Sequence, residues 1–340
     1  MEKASAVAAT PLVSVIMPAY NAARHIGEAI DSVRAQTYDH WELIIADDGS
    51  TDGTARIVAA YQDPRIRWIA LPHCGVNMAV RNAALRAAEG AFIAFLDADD
   101  RYFPDALQTL ASHLMRHSEC AAVYGYFKLM DVNSAPLPMS WDHLESDMRG
   151  VLTIKRESLP SWDSLLWRTP KQLQSLMLRR DALARVGYFH EDMAVAEDTA
   201  FYIRLFLDDF DAVHTTPAYI FDYRVYPDSI THDEKRFQQV LQSIPRLYEG
   251  IFSHPKLPSS LRARQSDLCA RHLGWFYARG RLQSGLKSQA RRLVAVGWRY
   301  PSITRWDWAR HCLPFWLLSY MPQPLSAALK SLRRLVKGHC

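Results

Sequence analysis

From residue 13 to residue 96 the chain repeats one pattern, a short apolar run followed by a stretch in which apolar residues recur three and four positions apart. The runs Val13–Met17, Trp41–Ala46, Arg65–Ala70 and Ala91–Leu96 read as strands. The stretches His25–Gln36, from the capping residues Ser50, Thr51 and Asp52 to Tyr61, and Met78–Ala88 read as helices. Strands that are apolar throughout rather than alternating are those covered on both faces. The order βαβαβαβ therefore predicts a Rossmann-type, mostly parallel α/β sheet with helices on both faces. Further on, Tyr102–Leu129 predicts a helix and a strand, and Asp131–Thr169 a long irregular stretch rich in Pro, Trp and Ser. Leu173–Arg180 reads as a strand entering the helix Asp181–Val186, and Glu197–Leu207 as a helix bounded by the turn-prone Asp208–Asp211. Ala212–Val225 reads as a β pair, and nearly everything past Glu234 as helix.

Ligands of open parallel sheets bind outside the carboxyl ends of the strands. Three polar clusters sit at such ends: Pro18-Ala19-Tyr20-Asn21, Asp47-Asp48, and Asp97-Ala98-Asp99-Asp100. They are expected to converge on one cleft. Two carboxylates at i and i+2 point to opposite faces of a regular strand, but where the chain turns at a strand end both reach one ligand. Asp97 and Asp99 form such a DxD motif. Hard oxygen ligands suit Mg²⁺ or Mn²⁺, which bind through one or two carboxylates and are completed by substrate phosphates. A solvated acidic turn ahead of the helix after Pro104 is the structural alternative.

Composition and charge sharpen this picture. At 49% hydrophobic and 22% charged over 340 residues, with no repeat or low-complexity tract, the chain is globular and long enough for two domains. Its net charge of +4 hides a split. Residues 1–234 hold 21 Lys+Arg against 33 Asp+Glu, whereas residues 235–340 hold 19 against 3. The expected organisation is a catalytic domain over 1–234 and a basic helical region over 235–340. The first half suits a metal-dependent site, and the second an anionic surface. The five cysteines, Cys74, Cys120, Cys269, Cys312 and Cys340, form no CxxC and no zinc-like spacing with histidine, and read as reduced thiols in a cytosolic protein. No secretory signal is read at the N-terminus. The longest strongly apolar stretch, Cys312–Tyr320, is interrupted by Pro314 and falls short of the ~20 residues of a spanning helix.

Three segments in order, VSVIMPAYNAARHIGEAIDSVRAQTYDHWELIIADDGSTDGT, GVNMAVRNAALRAAEGAFIAFLDADD and AVAEDTAFYIRL, resemble successive motifs of the family 2 inverting glycosyltransferases, over about residues 12–232. The resemblance implies a GT-A-like fold and transfer of a sugar from a nucleotide-sugar donor, UDP-linked, to a glycan or lipid-linked acceptor in surface polysaccharide or glycoconjugate synthesis. It places Pro18, Ala19 and Tyr20 around the base, Tyr20 stacking on it and Asp48 bonding its edge. Asn77, Arg81 and Asn82 fall beside the diphosphate, and a guanidinium suits phosphate oxygens. Asp97 supports the metal or ribose, and Asp99 the metal. Glu197-Asp198 matches the acidic pair facing the acceptor, which makes Asp198 the expected general base and Glu197 its alternative. As structural residues, those acids would merely complement a helix N-terminus. Tyr223–His232 resembles the stretch that closes over the donor, from which Arg224 and His232 reach phosphate or metal.

The segment 324–337, PLSAALKSLRRLVK, is a basic amphipathic helix by spacing. It either packs on the protein's own core with a solvated basic rim or lies on an anionic membrane surface, which would make the enzyme peripheral on the cytoplasmic face. The aromatic run Trp298–Tyr320 favours the membrane. No nucleic-acid recognition motif accompanies the basic half. Two rival readings stand beside the transferase. One is a binding protein that kept the fold without turnover, which would not require Asp198. The other is a nucleotidyltransferase, which usually carries a Gly-rich phosphate loop where PAYNAARHIG has none.

Overall fold

The computed structural model describes residues 10–137, 172–191, 197–209, 212–226, 234–278, 282 and 287–320. Two compact units result, one drawn from Met1–Pro160 and Arg168–His232, the other from Ser161–Trp167 and Asp233–Cys340.

Among the described residues the first unit is built on a nine-stranded sheet. Strands β1 (Val13–Ala19), β2 (Trp41–Asp47), β3 (Ile66–Ala70) and β4 (Phe92–Phe95) alternate with helices α1 (Ile26–Arg34), α2 (Thr54–Ala59) and α3 (Asn77–Ala87). These four strands lie parallel in the order β3-β2-β1-β4, with Val13 opposite both Trp41 and Phe92. Every residue of β1, β2 and β4 is buried, which is why their sequences lack alternation. The period of two still sorts their side chains. Val13, Val15 and Met17 join α1 and α4 (Ala106–Arg116) in one apolar cluster. The buried Met78, Val80, Ala84 and Leu85 of α3, which packs on β1 and β2, lie outside that cluster, as helices on opposite faces require.

Beyond β4 the sheet is mixed. Strands β5 (Arg101–Tyr102), β6 (Ala122–Met130), β7 (Pro136–Leu137), β8 (Leu176–Arg179) and β9 (Val213–Arg224) extend it as β4-β8-β6-β9-β5, with β7 paired to β6. Helices α5 (Arg180–Val186) and α6 (Glu197–Asp208) pack together between β8 and β9 in the chain. The β pair expected over Ala212–Val225 is one twelve-residue strand. Pro217 suggests a turn, since proline cannot serve a regular ladder. The register with β6 instead slips there, from Tyr124 opposite Thr215 to Tyr126 opposite Tyr219. Gly125 sits at the slip. A Cβ at Gly125 would lie 2.6 Å from the Ala218 carbonyl and 2.5 Å from Ile220, so the bulge needs glycine.

The second unit is helical through its described residues, as its sequence predicts. Its helices are α7 (Glu234–Phe252), α8 (Ser259–Arg262), α9 (Gln265–Arg271), α10 (Lys287–Arg299), α11 (Arg305–His311) and α12 (Leu313–Leu318), with a π-helical turn at His272–Ala278. Gly274 lets that turn approach α11, where a Cβ would lie 2.0 Å from the His311 carbonyl oxygen. Trp308 Nε1 donates to the Val294 carbonyl at 2.8 Å, and His311 Nε2 faces Asp267 Oδ1 at 2.8 Å. No helix among the described residues is long and apolar enough to cross a membrane. The helix expected over Leu325–Lys337 lies outside the described residues.

Candidate active site

The three strand-end clusters do converge. Ala19 is opposite Asp47, and the Asp48 N–H donates to the Ala19 carbonyl at 2.9 Å, so the β1 and β2 ends are stitched together. Asn21 sits at a positive φ of 46° and accepts from the Thr51 N–H at 2.9 Å, while its own N–H donates to Ser50 Oγ at 2.8 Å. Asparagine tolerates this backbone because its short amide bonds locally. Pro18 and Ala19 are buried within β1, which leaves Tyr20 as the first side chain to emerge, 50% exposed.

Tyr20 stacks on His73, ring centroids 4.5 Å apart and 16° from parallel. Asp48 is buried and accepts the backbone N–H groups of Cys74 at 2.8 Å and Gly75 at 2.9 Å, with His73 Nδ1 at 2.9 Å from Oδ2. Burial alone raises this carboxyl, but the Cys74 and Gly75 bonds and the His73 charge outweigh it and hold Asp48 below its ordinary value. Oδ2 is thereby filled, while Oδ1 keeps a further lone pair for a ligand donor. His73 was not anticipated. Its signal was its position in LPHCG, directly after β3 and so at the same sheet edge.

At the end of β4, Arg81 from α3 binds Asp97 Oδ1 with a buried guanidinium, and Gln174 Nε2 donates to Asp97 Oδ2 at 2.6 Å and Asp100 Oδ2 at 2.8 Å. Arg81 Nε is buried without a protein partner among the described residues. Asp97 keeps 29% of its side chain exposed. Asp99 is half-buried, and its carboxyl is pushed up to about 6 by burial and by the Asp97 charge, against the Tyr226 hydroxyl and Arg224. Asp100 is fully buried and accepts the Arg224 N–H at 2.8 Å; burial and its two acidic neighbours raise its carboxyl well above the ordinary range. The first two acids keep exposed surface, whereas the third ties β9 to the turn.

Arg224, expected at donor phosphate or metal, is spent within the protein. Its side chain has no exposed surface. Nε donates to the Asp99 carbonyl at 2.6 Å, Nη1 to the Asp131 carbonyl at 3.1 Å and Ser134 Oγ at 2.9 Å, and Nη2 to Glu28 Oε2 at 3.1 Å. It thus positions the turn that presents Asp99, and its neighbour Tyr226 reaches the Asp99 carboxylate instead. Asn82 likewise serves the frame, donating to the Phe189 carbonyl and Glu191 Oε1 and accepting from the Phe189 N–H. Asn77 opens α3 and is exposed.

Asp198 lies in the first turn of α6, where Oδ1 accepts the Thr199 N–H at 2.6 Å. Its charge acts on Tyr223 together with those of Asp100, Asp97 and Asp99, all of which, after burial, hold that hydroxyl neutral. Asp198 and the three acids of the DxD turn thus act on the same tyrosine. The Glu197 side chain and His232 lie outside the described residues.

Comparison with known proteins agrees with this geometry. The profile of Glycosyl transferase family 2 matches residues 14–162. A Bacillus subtilis protein named as a teichuronic acid biosynthesis glycosyltransferase, TuaG, is 37% identical over 183 residues, covering 46% of this chain and 72% of that relative. The Escherichia coli UDP-Glc:alpha-D-GlcNAc-diphosphoundecaprenol beta-1,3-glucosyltransferase WfgD is 39% identical over 123 residues, 36% of this chain and 48% of that relative. Among solved structures, Staphylococcus aureus TarS 1-349 in complex with UDP-GlcNAc superposes with a TM-score of 0.67 at 18% identity, over 90% of each chain. The Pyrobaculum calidifontis mannosyltransferase PcManGT in complex with GDP-Man and Mn²⁺ gives 0.58 at 19% identity, over 96% of this chain and 81% of that one. The chain belongs to glycosyl transferase family 2, and it is a sugar-transferring enzyme on a GT-A-like fold.

Proposed function

We propose that the enzyme moves a sugar from a UDP-sugar to a glycan or lipid-linked acceptor, with inversion, in the synthesis of a bacterial surface polysaccharide. The observation that carries this reading is the pair of clusters at one sheet edge, Tyr20–Asp48 and Arg81–Asp97–Asp99, with the Asp198 charge acting on the same Tyr223 as the second cluster. The names of TuaG, WfgD and the TarS complex support the donor and the product class.

In this reading the base lies against Tyr20, backed by His73, with Pro18 and Ala19 as the floor and Asp48 accepting from the ring edge. Arg81, paired with Asp97, adds positive charge behind the diphosphate, with Asn77 at the start of α3. The acceptor hydroxyl attacks the anomeric carbon opposite the leaving group. Its oxygen forms the new bond, its proton passes to Asp198 or Glu197, and the bond to the diphosphate breaks with the electron pair leaving on phosphate. The hard-oxygen set of Asp97 and Asp99 fits Mn²⁺ or Mg²⁺, with His232 a further candidate ligand. Such an ion, when bound, offsets charge developing on the leaving diphosphate. Arg224 holds the Asp99 turn in place.

The test is a panel of UDP-, GDP- and dTDP-sugars with Mn²⁺ present, read by calorimetry and nucleotide release. Binding and turnover with UDP-sugars are expected; preference for another nucleotide would remove the UDP assignment.

We also propose that the basic helical unit docks the enzyme on the cytoplasmic face of a membrane. Trp298, Trp306, Leu317 and Tyr320 are exposed, with Arg305 over Trp298 at 3.7 Å and Arg291 over Tyr320 at 4.7 Å. Cationic and aromatic groups side by side suit an anionic interface, where each Lys or Arg contributes ~1 kcal/mol. Full-length protein is expected to sediment with anionic vesicles at low salt and to release as salt rises, and a chain ending near Met321 to bind less. Failure to sediment at low salt would remove membrane docking.

A further inference from the structure

The spacing of the cysteines offers no zinc motif, yet the fold builds a set of metal-ligating side chains far from the donor cleft. His113 comes from the last turn of α4, Cys120 from the turn that follows, and His214 from the start of β9. One ligand atom from each lies within 4.8 Å of the others. His113 Nε2 faces His214 Nδ1 at 3.0 Å, and the His117 ring lies 4.6 Å from His113 and 5.4 Å from His214 between centroids. In a tetrahedral zinc site, bond lengths of ~2.0–2.3 Å put neighbouring ligand atoms about 3.3–3.7 Å apart. The two imidazole nitrogens are already near that separation.

We propose that His113, Cys120 and His214 bind a zinc-class transition metal, with His117 beside the fourth position. Borderline nitrogen and thiolate ligands select Zn²⁺ over the Mg²⁺ or Mn²⁺ of an all-oxygen site. The surroundings hold the ligands in place. Arg179 Nε donates to the Cys120 carbonyl at 2.7 Å, and Nη2 donates to the carbonyls of Leu114 at 2.5 Å and His117 at 3.2 Å. This clamp fixes the turn between His113 and Cys120. The His214 backbone N–H is directed at the Cys120 sulfur, and the thiol faces the Ala122 carbonyl at 3.1 Å. Cys120 is buried while His113, His117 and His214 keep partial exposure, so a metal enters from the solvent side.

The position also assigns the role. His214 pairs with Val123 at the amino ends of β9 and β6, whereas Arg224, at the other end of β9, belongs to the Asp99 turn. Ten residues of strand separate them, on the order of 30 Å. The metal would not touch the transferred sugar. It would clip α4 to β9, segments about a hundred residues apart in the chain, and stabilise the folded state by binding there.

The test is Co²⁺ titration of the untagged full-length enzyme with excess Mg²⁺ present to occupy oxygen sites. The expected result is one equivalent of Co²⁺ with intense visible bands of tetrahedral coordination and a near-ultraviolet thiolate-to-metal charge-transfer band. Zn²⁺ should displace Co²⁺ and raise the melting temperature. Cys120→Ser should lose the charge-transfer band, and His113→Gln should weaken binding at least tenfold. Cobalt binding without a thiolate band, a band that survives Cys120→Ser, or less than a tenth of an equivalent bound by the native protein would overturn the proposal. Should either variant fail to fold, the native spectrum and stoichiometry decide alone.

Discussion

Asp198→Asn is expected to lower turnover by ~10²–10⁴-fold while leaving donor affinity nearly intact. The amide matches the carboxylate in shape and still accepts the Thr199 N–H through its oxygen, so the first turn of α6 keeps its 2.6 Å bond. It cannot take a proton from an acceptor hydroxyl. Were Asp198 only a complement to the helix N-terminus, the loss would appear in stability at ~0.3–1 kcal/mol and turnover would hardly change. Paired measurements of kcat and of donor Kd by calorimetry separate the two roles. Full turnover in Asp198→Asn together with inactivity of Glu197→Gln would move the base to Glu197.

Local features of the sequence made the first half of the sheet readable. The strands β1, β2 and β4 are mainly apolar, broken only by Ser14, Glu42 and Asp47, and the polar residues that follow them, Tyr20, Asp48 and Asp97, lie where a parallel sheet binds ligands. Legibility fails where a role depends on a partner distant in sequence. Arg224 looks like a phosphate ligand in isolation, but its bonds run to Glu28, Asp99, Asp131 and Ser134, and only the folded chain brings these together. Gln174 has no motif at all, yet one amide nitrogen joins Asp97 to Asp100. That Ala212–Val225 forms one strand and not a β pair, despite Pro217, has a related cause. The rule against proline in a ladder is local, while the bulge that accommodates it is set by Gly125 on the neighbouring strand. The histidines and cysteine at 113, 120 and 214 follow the same logic, since the zinc spacings recognisable in a sequence are those made within one short segment.

The second large effect concerns Asp99. Chelation of divalent metal is expected to weaken UDP-sugar binding at least tenfold, and Asp99→Asn is expected to reproduce that loss with Mn²⁺ present and to reduce activity at least a hundredfold. The reason is electrostatic. Asp97, Asp99 and Asp100 lie within four consecutive residues, and the first is compensated by Arg81 while the third is buried with Gln174 and the Arg224 N–H. Asp99 has the Tyr226 hydroxyl and the Arg224 charge to set against burial and the repulsion of Asp97. A diphosphate brought to this turn meets more negative charge, which a divalent cation between the two would offset. Stability should move the opposite way from activity. Without metal, Asp99→Asn removes one of three repelling carboxylates and keeps a partner for Tyr226, so its melting temperature should equal or exceed that of the unsubstituted enzyme. Adding Mn²⁺ should raise the melting temperature of the unsubstituted enzyme and leave that of the variant unchanged. Calorimetry with and without EDTA and thermal melts of both proteins decide the matter; donor affinity indifferent to EDTA, or an active Asp99→Asn, would take the metal away from this turn and leave Arg81 to neutralise the diphosphate.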